Sequence, residues 1–177
     1  DRLDPARETV VVAVHEASRT GAPILAWNII GELRKKYNVV VLLKRAGVIQ
    51  QALSDASNGI IVLPDDFVLH GVETDMLAEA IVERYKPLYL VANSAETRYF
   101  VPAFERLNTP AVVLIHEFSS SIRPLGTLVE LFHTASQIVF PAEIVADASL
   151  EDYTALHSRH HHILAQGASK IPPEDPS

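Results

Sequence analysis

The run Val10-Val11-Val12-Ala13-Val14 constrains this chain more than any other stretch, because it is apolar at every position instead of at every second one. That is the pattern of a strand covered on both faces, which places it centrally in a parallel sheet. A polar turn follows, His15-Glu16-Ala17-Ser18-Arg19-Thr20-Gly21, and then Ala22-Pro23. Proline suits a first helical turn, where its missing N–H would have had no partner. Over 22–37, Ala22, Leu25, Ala26, Ile29, Ile30, Leu33 and Tyr37 share one face and Asn28, Glu32, Lys35 and Lys36 the other, so this helix lies with one side on a sheet. Its start carries free N–H groups and the positive end of the dipole, and Gly21 lets a ligand approach the backbone. The expected guest there is a phosphate.

The same grammar repeats. Apolar runs at 38–44, 59–63, 88–92, 111–115, 137–140 and 161–164 predict strands, with 112–115 read as a buried run. Between them, helices are predicted over 47–56, 73–85 with Met76, Leu77, Ala80 and Ile81 inward, 97–107 with Pro102 disturbing the first turns, 123–133, and part of 142–156. The alternation predicts an α/β, Rossmann-like three-layer sandwich with a parallel sheet of about seven strands, helices on both faces and right-handed crossovers. Ligands of such sheets bind outside the carboxyl ends of the strands, near the point where strand order reverses. That rule selects His15, Glu16, Lys44, Asp65, Asn93, Ser94, His116, Glu117, Glu143 and Gln166 as one rim. Arg19, beside the helix start, would add a cation to a phosphate site.

Composition narrows the partners. At 177 residues and 48% hydrophobic, the chain suits one well-filled domain. A net charge of −7 without a dense basic block argues against duplex nucleic acid. The absence of cysteine excludes disulfides and thiol catalysis and fits a reducing compartment. No apolar run approaches the ~20 residues of a membrane span, and the first residues, Asp1-Arg2-Leu3-Asp4-Pro5, carry no signal-peptide core. The expected location is cytoplasmic, with membrane contact at most peripheral. The start without methionine and the proline-rich 171–177 lead us to expect a domain over 1–171, then the beginning of an interdomain linker over 172–177, with a second domain missing.

Several chemistries lack their residues. Neither GxGxxG nor GxxxxGK[ST] is present, which disfavours dinucleotide and ATP cradles. A GxSxG elbow is missing as well, and a phosphoreceiver's acidic pair is replaced by His15-Glu16. In a strand His160 and His162 face one way and His161 the other, with no third ligand nearby, and Asp65-Asp66 reads as a solvated turn. No metal and no cofactor are assigned.

SRTGAP opening the first helix, PAVVLIHEF ending the fifth strand, SQIVFP over 136–141 and ILAQG over 163–167 together resemble the N-terminal domain of GT-B glycosyltransferases, and within them glycosyltransferase family 4. The resemblance covers nearly the whole chain and rests on order and spacing. It implies two facing Rossmann-like domains, the N-terminal one holding a sugar, lipid-linked or other acceptor and the missing C-terminal one holding the nucleotide-sugar donor. It further implies that Thr20, Gly21 and Ala22 approach the donor phosphates and that His116 is the catalytic group near the reacting sugar. His15, Glu16, Arg19, Asn93, Ser94, Glu117 and Glu143 are then the expected substrate-binding residues, and the chain by itself is expected to be inactive.

Blander readings stand beside these. His116 could cap a strand or bond a neighbouring loop, Gly21 could be only a turn residue, and Arg19 could be solvated. A non-enzymatic, flavodoxin-like module that binds a small ligand or regulates is the second function class. An apolar docking patch is expected near Phe118 and Ile122. His116→Ala is expected to lower kcat/KM by ~10²-fold while leaving stability within about 1 kcal/mol.

Overall fold

Seven strands form one sheet in the order β3-β2-β1-β4-β5-β6-β7, every neighbouring pair parallel. They are β1 (Thr9–Val14), β2 (Asn38–Leu43), β3 (Gly59–Val62), β4 (Leu90–Asn93), β5 (Ala111–Leu114), β6 (Gln137–Phe140) and β7 (His162–Ile163). The helices between them are α1 (Gly21–Leu33), α2 (Gln50–Ala56), α3 (Val72–Tyr85), α4 (Phe100–Arg106), α5 (Val129–Thr134) and α6 (Glu143–Asp152). This computed structural model describes residues 2–69 and 71–173, so 174–177 of the expected linker lie outside it. The expected class, a parallel Rossmann-like sandwich of seven strands, is the one observed.

All six residues of β1 and all six of β2 are buried, in full register from Thr9 opposite Asn38 to Val14 opposite Leu43. Val10, Val12 and Val14 pack under Ala26 and Ile30 of α1 and Leu53 of α2. Val11 and Ala13 point to the other side, into a larger core built with Ala78 and Ile81 of α3, Phe100 and Phe104 of α4, Phe132 of α5 and Val145 of α6. Burying each valine or leucine contributes about 1.5–3 kcal/mol, so this centre supplies most of the rigidity on which the strand ends rest.

Several expectations shift. In α3 the inward face is Thr74, Ala78 and Ile81, with Met76 63% exposed, because the sheet selects the i, i+4, i+7 stripe over the more apolar one. The helix expected over 123–133 begins only at Val129, since Pro124 and Gly126, the latter at φ +84°, hold the preceding segment out of helical geometry. β7 is two exposed residues. Most tellingly, β5 alternates: Ala111 and Val113 are buried, whereas Val112 and Leu114 are only half-buried. On their side of the sheet the cover is the flank of α1 and the segment after β7, and an apolar pocket of about 130 Å³ opens between them, lined by Leu25, Ile29, Leu114, Val139, Phe140 and Leu164 among others.

The patch expected near Phe118 and Ile122 is reduced to Phe118, 45% exposed, because Ile122 packs into the core at 5%. His160 and His162 do share a side, ring centroids 4.7 Å apart, with His161 edge-on against Phe140. Among the described residues, no group of three or more potential metal ligands gathers, and no helix is long and apolar enough to cross a membrane.

Candidate functional site

Strand order reverses between β1 and β4: the chain runs outward from β1 to β3, returns, and continues outward from β4. Val14 lies opposite Asn93 in the register, so the turn holding His15 and the turn holding Asn93 and Ser94 form the two walls of the crevice where ligands of such sheets bind.

The β1 wall is open. Thr20 ends the turn in an extended conformation at the N-cap of α1, yet no side chain caps the helix and no acidic residue sits in its first turn. The Thr20 hydroxyl is diverted: Ser18 Oγ donates to Glu16 Oε1 at 2.6 Å, and Thr20 Oγ1, 2.9 Å from Ser18 Oγ, is left to donate to it. Glu16 is in turn paired with Arg45 at 3.1 Å, so both belong to the turn's own bracing. Gly21 is exposed, its φ lies outside the left-handed region, and a Cβ there would meet nothing within 4 Å. The domain itself therefore makes no demand for glycine at this place. Arg19 is exposed on the same turn. His15 faces inward, only 12% exposed at the side chain and 3.7 Å from Glu16. Its Nδ1 is buried without a hydrogen-bond partner. Burial pushes its imidazole below the ordinary histidine value, against the pull of Glu16, Glu117 and Glu96.

The opposite wall is saturated. Glu117 accepts from Ser94 Oγ at 2.5 Å, from Ala95 N at 3.2 Å and from His116 N at 3.1 Å, tying the turn after β4 to the turn after β5. Ser94 is fully buried in a conformation that L-residues rarely adopt, φ +99°, and Glu117 is what over-determines it. Asn93, also fully buried, donates through Nδ2 to Ala22 O at 2.7 Å and faces His116 Nε2 with Oδ1 at 3.0 Å. His116 receives Gln166 Nε2 on Nδ1 at 2.6 Å. Burial also lowers the His116 pKa, Glu117 opposing and His15 adding to the shift.

Of the residues expected in the site, His15, Asn93, Ser94, His116 and Glu117 come together here with Thr20, Gly21, Ala22, Arg19 and Glu16 on the facing turn. Glu143 does not join them; it is exposed in the first turn of α6, beyond β5 and β6. Nor do Asp65 and Asp66, exposed after β3. Lys44 belongs to the crevice through Glu96, at 3.4 Å; burial works against the Glu96 charge, but Lys44 and Arg98 hold its carboxyl below the ordinary range. Sequence reasoning missed the part played by Gln166, which it placed only on the rim, and missed Gly47 altogether. A Cβ at Gly47 would stand 2.4 Å from Ala17 O, because the turn after β2 bonds Ala17 from both sides, through Arg45 O and Ile49 N.

No protein-family profile and no curated protein matches the sequence. Among solved structures, the fold is shared with HepE from Anabaena, solved with UDP and glucose (14% identity, 91% of this chain and 45% of that one, TM-score 0.72). It is shared too with a putative UDP-N-acetylglucosamine 2-epimerase from Listeria monocytogenes (10%, 82% and 42%, 0.62) and with MurG from Acinetobacter baumannii (15%, 92% and 47%, 0.61). At such identities the likeness is one of fold: the chain matches one half of a GT-B protein. It spans less than half the length of each of these structures.

Proposed function

We propose that this chain is the N-terminal, acceptor-side half of a glycosyltransferase, of the family 4 kind, that moves a sugar from a nucleotide-sugar to an acceptor. The observation that carries this reading is the uncapped start of α1, placed at the strand reversal and joined through Asn93 to His116. An uncapped helix start offers N–H donors and partial positive charge to a departing diphosphate, and Arg19 adds a full one. The acceptor hydroxyl is oriented or deprotonated at His116. A second Rossmann-like domain closes over the crevice and brings the donor. UDP-sugars are the first donors to try, because HepE was solved with UDP and glucose.

The test is sugar-transfer kinetics on the complete gene product beside the 177-residue chain. Turnover is expected from the former and none from the latter, and His116→Ala is expected to lower kcat/KM by ~10²-fold or more. The same variant is now expected to lose about 1–3 kcal/mol of stability, more than sequence reasoning allowed, because the buried Asn93 Oδ1 is left without its donor. Robust transfer by residues 1–177 alone would overturn the half-site assignment. One observation favours the second reading, a non-enzymatic small-ligand module: both ring nitrogens of His116 are already satisfied from within the chain. Binding of a small ligand without turnover by any nucleotide-sugar would decide for it.

A further inference from the structure

The segment leaving β7 turns back over α1 instead of departing from the domain. Asn28 clamps it there from both sides, donating through Nδ2 to Lys170 O at 2.8 Å and accepting from Lys170 N on Oδ1 at 2.9 Å. Four residues earlier, Gln166 reaches His116. The hydrogen-bond directions follow from one fixed point. Ala22 O can only accept, so the Asn93 amide must present Nδ2 to it and Oδ1 to His116. Nε2 of His116 therefore carries the hydrogen, Nδ1 of the neutral ring is the lone pair, and the Gln166 amide donates to it at 2.6 Å.

We propose that Gln166 is a positioning residue for His116: docked on α1 by Asn28, the exit segment holds the imidazole as its Nε2–H tautomer and occupies the Nδ1 lone pair, so His116 accepts a proton only when that segment shifts. Through Asn93 the same relay ends on Ala22, in the first turn of α1, so displacement of the segment is felt at the anion-binding end as well. The consequence for catalysis rests on the transfer reading above. There, release of Gln166 lets Nδ1 take the acceptor hydroxyl's proton as its oxygen bonds to the sugar and the diphosphate leaves with its electron pair. The tautomer and its control by Gln166 do not depend on that reading.

The charged and titratable surroundings of the ring are Glu117 on its own loop and His15 from the end of β1, with Glu16, Glu96 and Lys44 about His15 and Lys170 facing Glu32 farther along α1. None of these is altered by the variants below. Imidazole nitrogen NMR on the 177-residue chain is expected to show a single Nε2–H tautomer. Gln166→Ala is expected to raise the His116 pKa by about 0.5–1 pH unit, the worth of one lost hydrogen bond to the neutral ring. Gln166→Glu is expected to raise it further, since a carboxylate accepts from the protonated Nδ1. Asn28→Ala, which loosens the clamp without touching the ring, moves it the same way by less. In the complete enzyme, Gln166→Glu shifts the acid limb of the kcat/KM profile upward. An unchanged tautomer and pKa in Gln166→Ala and Asn28→Ala, with melting curves intact, would overturn the proposal. An enzyme that transfers no sugar would sink the transfer reading while leaving these NMR shifts as they are.

Discussion

β2 and β5 carry runs of similar character, NVVVLL and AVVL, and each is flanked by a strand on either side. Every residue of β2 is buried; in β5 every second one is half-open. The difference lies above them. α1 and α2 roof the β3-β2-β1 half on one face, whereas on that same face β5 and β6 have only the flank of α1 and the exit segment, with the 130 Å³ pocket between. The roofed half carries the open wall of the crevice and the half-roofed one carries His116. An apolar run reports what a strand is able to bury, and the cover it receives is decided elsewhere in the chain.

The contrast can be broken hardest at Gly47. Its turn stands against Ala17 with no room for a methyl group, so Gly47→Ala should cost on the order of 3 kcal/mol, read from urea unfolding. A cost under about 1 kcal/mol would mean that the two turns separate easily and that the roofed half is not the rigid one.

A paired substitution sharpens the same point at intermediate size. Val41, fully buried under α1 and α2, should lose about 2 kcal/mol on truncation to Ala, and the half-buried Val139 less than half of that. Equal losses would show that β6 is covered as well as β2.

Smaller still is the pH response of the crevice, which draws one histidine from each half. Burial holds His15 and His116 below the ordinary value of 6.5. Below that pH the unfolded chain therefore binds more protons than the folded one. The stability these two groups contribute is complete above about pH 6.5 and is lost as pH falls toward their folded values. Melting temperature should decline from neutral pH toward 5, and the decline should flatten in the double variant His15→Gln, His116→Gln. An identical slope in that variant would discard the linkage. The least effect belongs to Gly21→Ala, within about 0.5 kcal/mol because the site is open and its φ ordinary. Under the sugar-transfer proposal the loss falls instead on nucleotide-sugar affinity of the complete protein, measured by titration calorimetry; unchanged affinity would return Gly21 to a turn residue.

The sheet, its direction and the helices on both faces were legible because β1 and β2 are long, uninterrupted runs and because turn chemistry separates them cleanly. Element ends were less so where local signals conflicted: 123–133 carries a helical apolar spacing, but Pro124 and Gly126 override it. Within the crevice, residue types and strand ends were enough to expect His15, Asn93, Ser94, His116 and Glu117 on one rim, where the fold gathers them, yet their mutual contacts were hidden. Glu117 looks like an acid available for chemistry, and only the fold shows that its oxygens are engaged by Ser94, Ala95 and His116. Gln166 and Gly47 act through contacts with residues distant along the chain, and no local pattern announces such contacts.

The reversal of strand order also has a consequence in time. β1 meets β2 across a single helix in the chain, but it meets β4 only after β2, β3 and three helices have been laid down. Pairings that close long loops form late, so the last seam to zip is the one whose open end is the crevice. A chain halted before that step holds one well-packed half and no formed crevice, with the turn of His15 not yet set against that of Ser94. In pulse-labelled exchange during refolding, the amides of β2 should be protected before that of Val11, which donates to Tyr89 O across the β1–β4 seam; simultaneous protection would overturn this order.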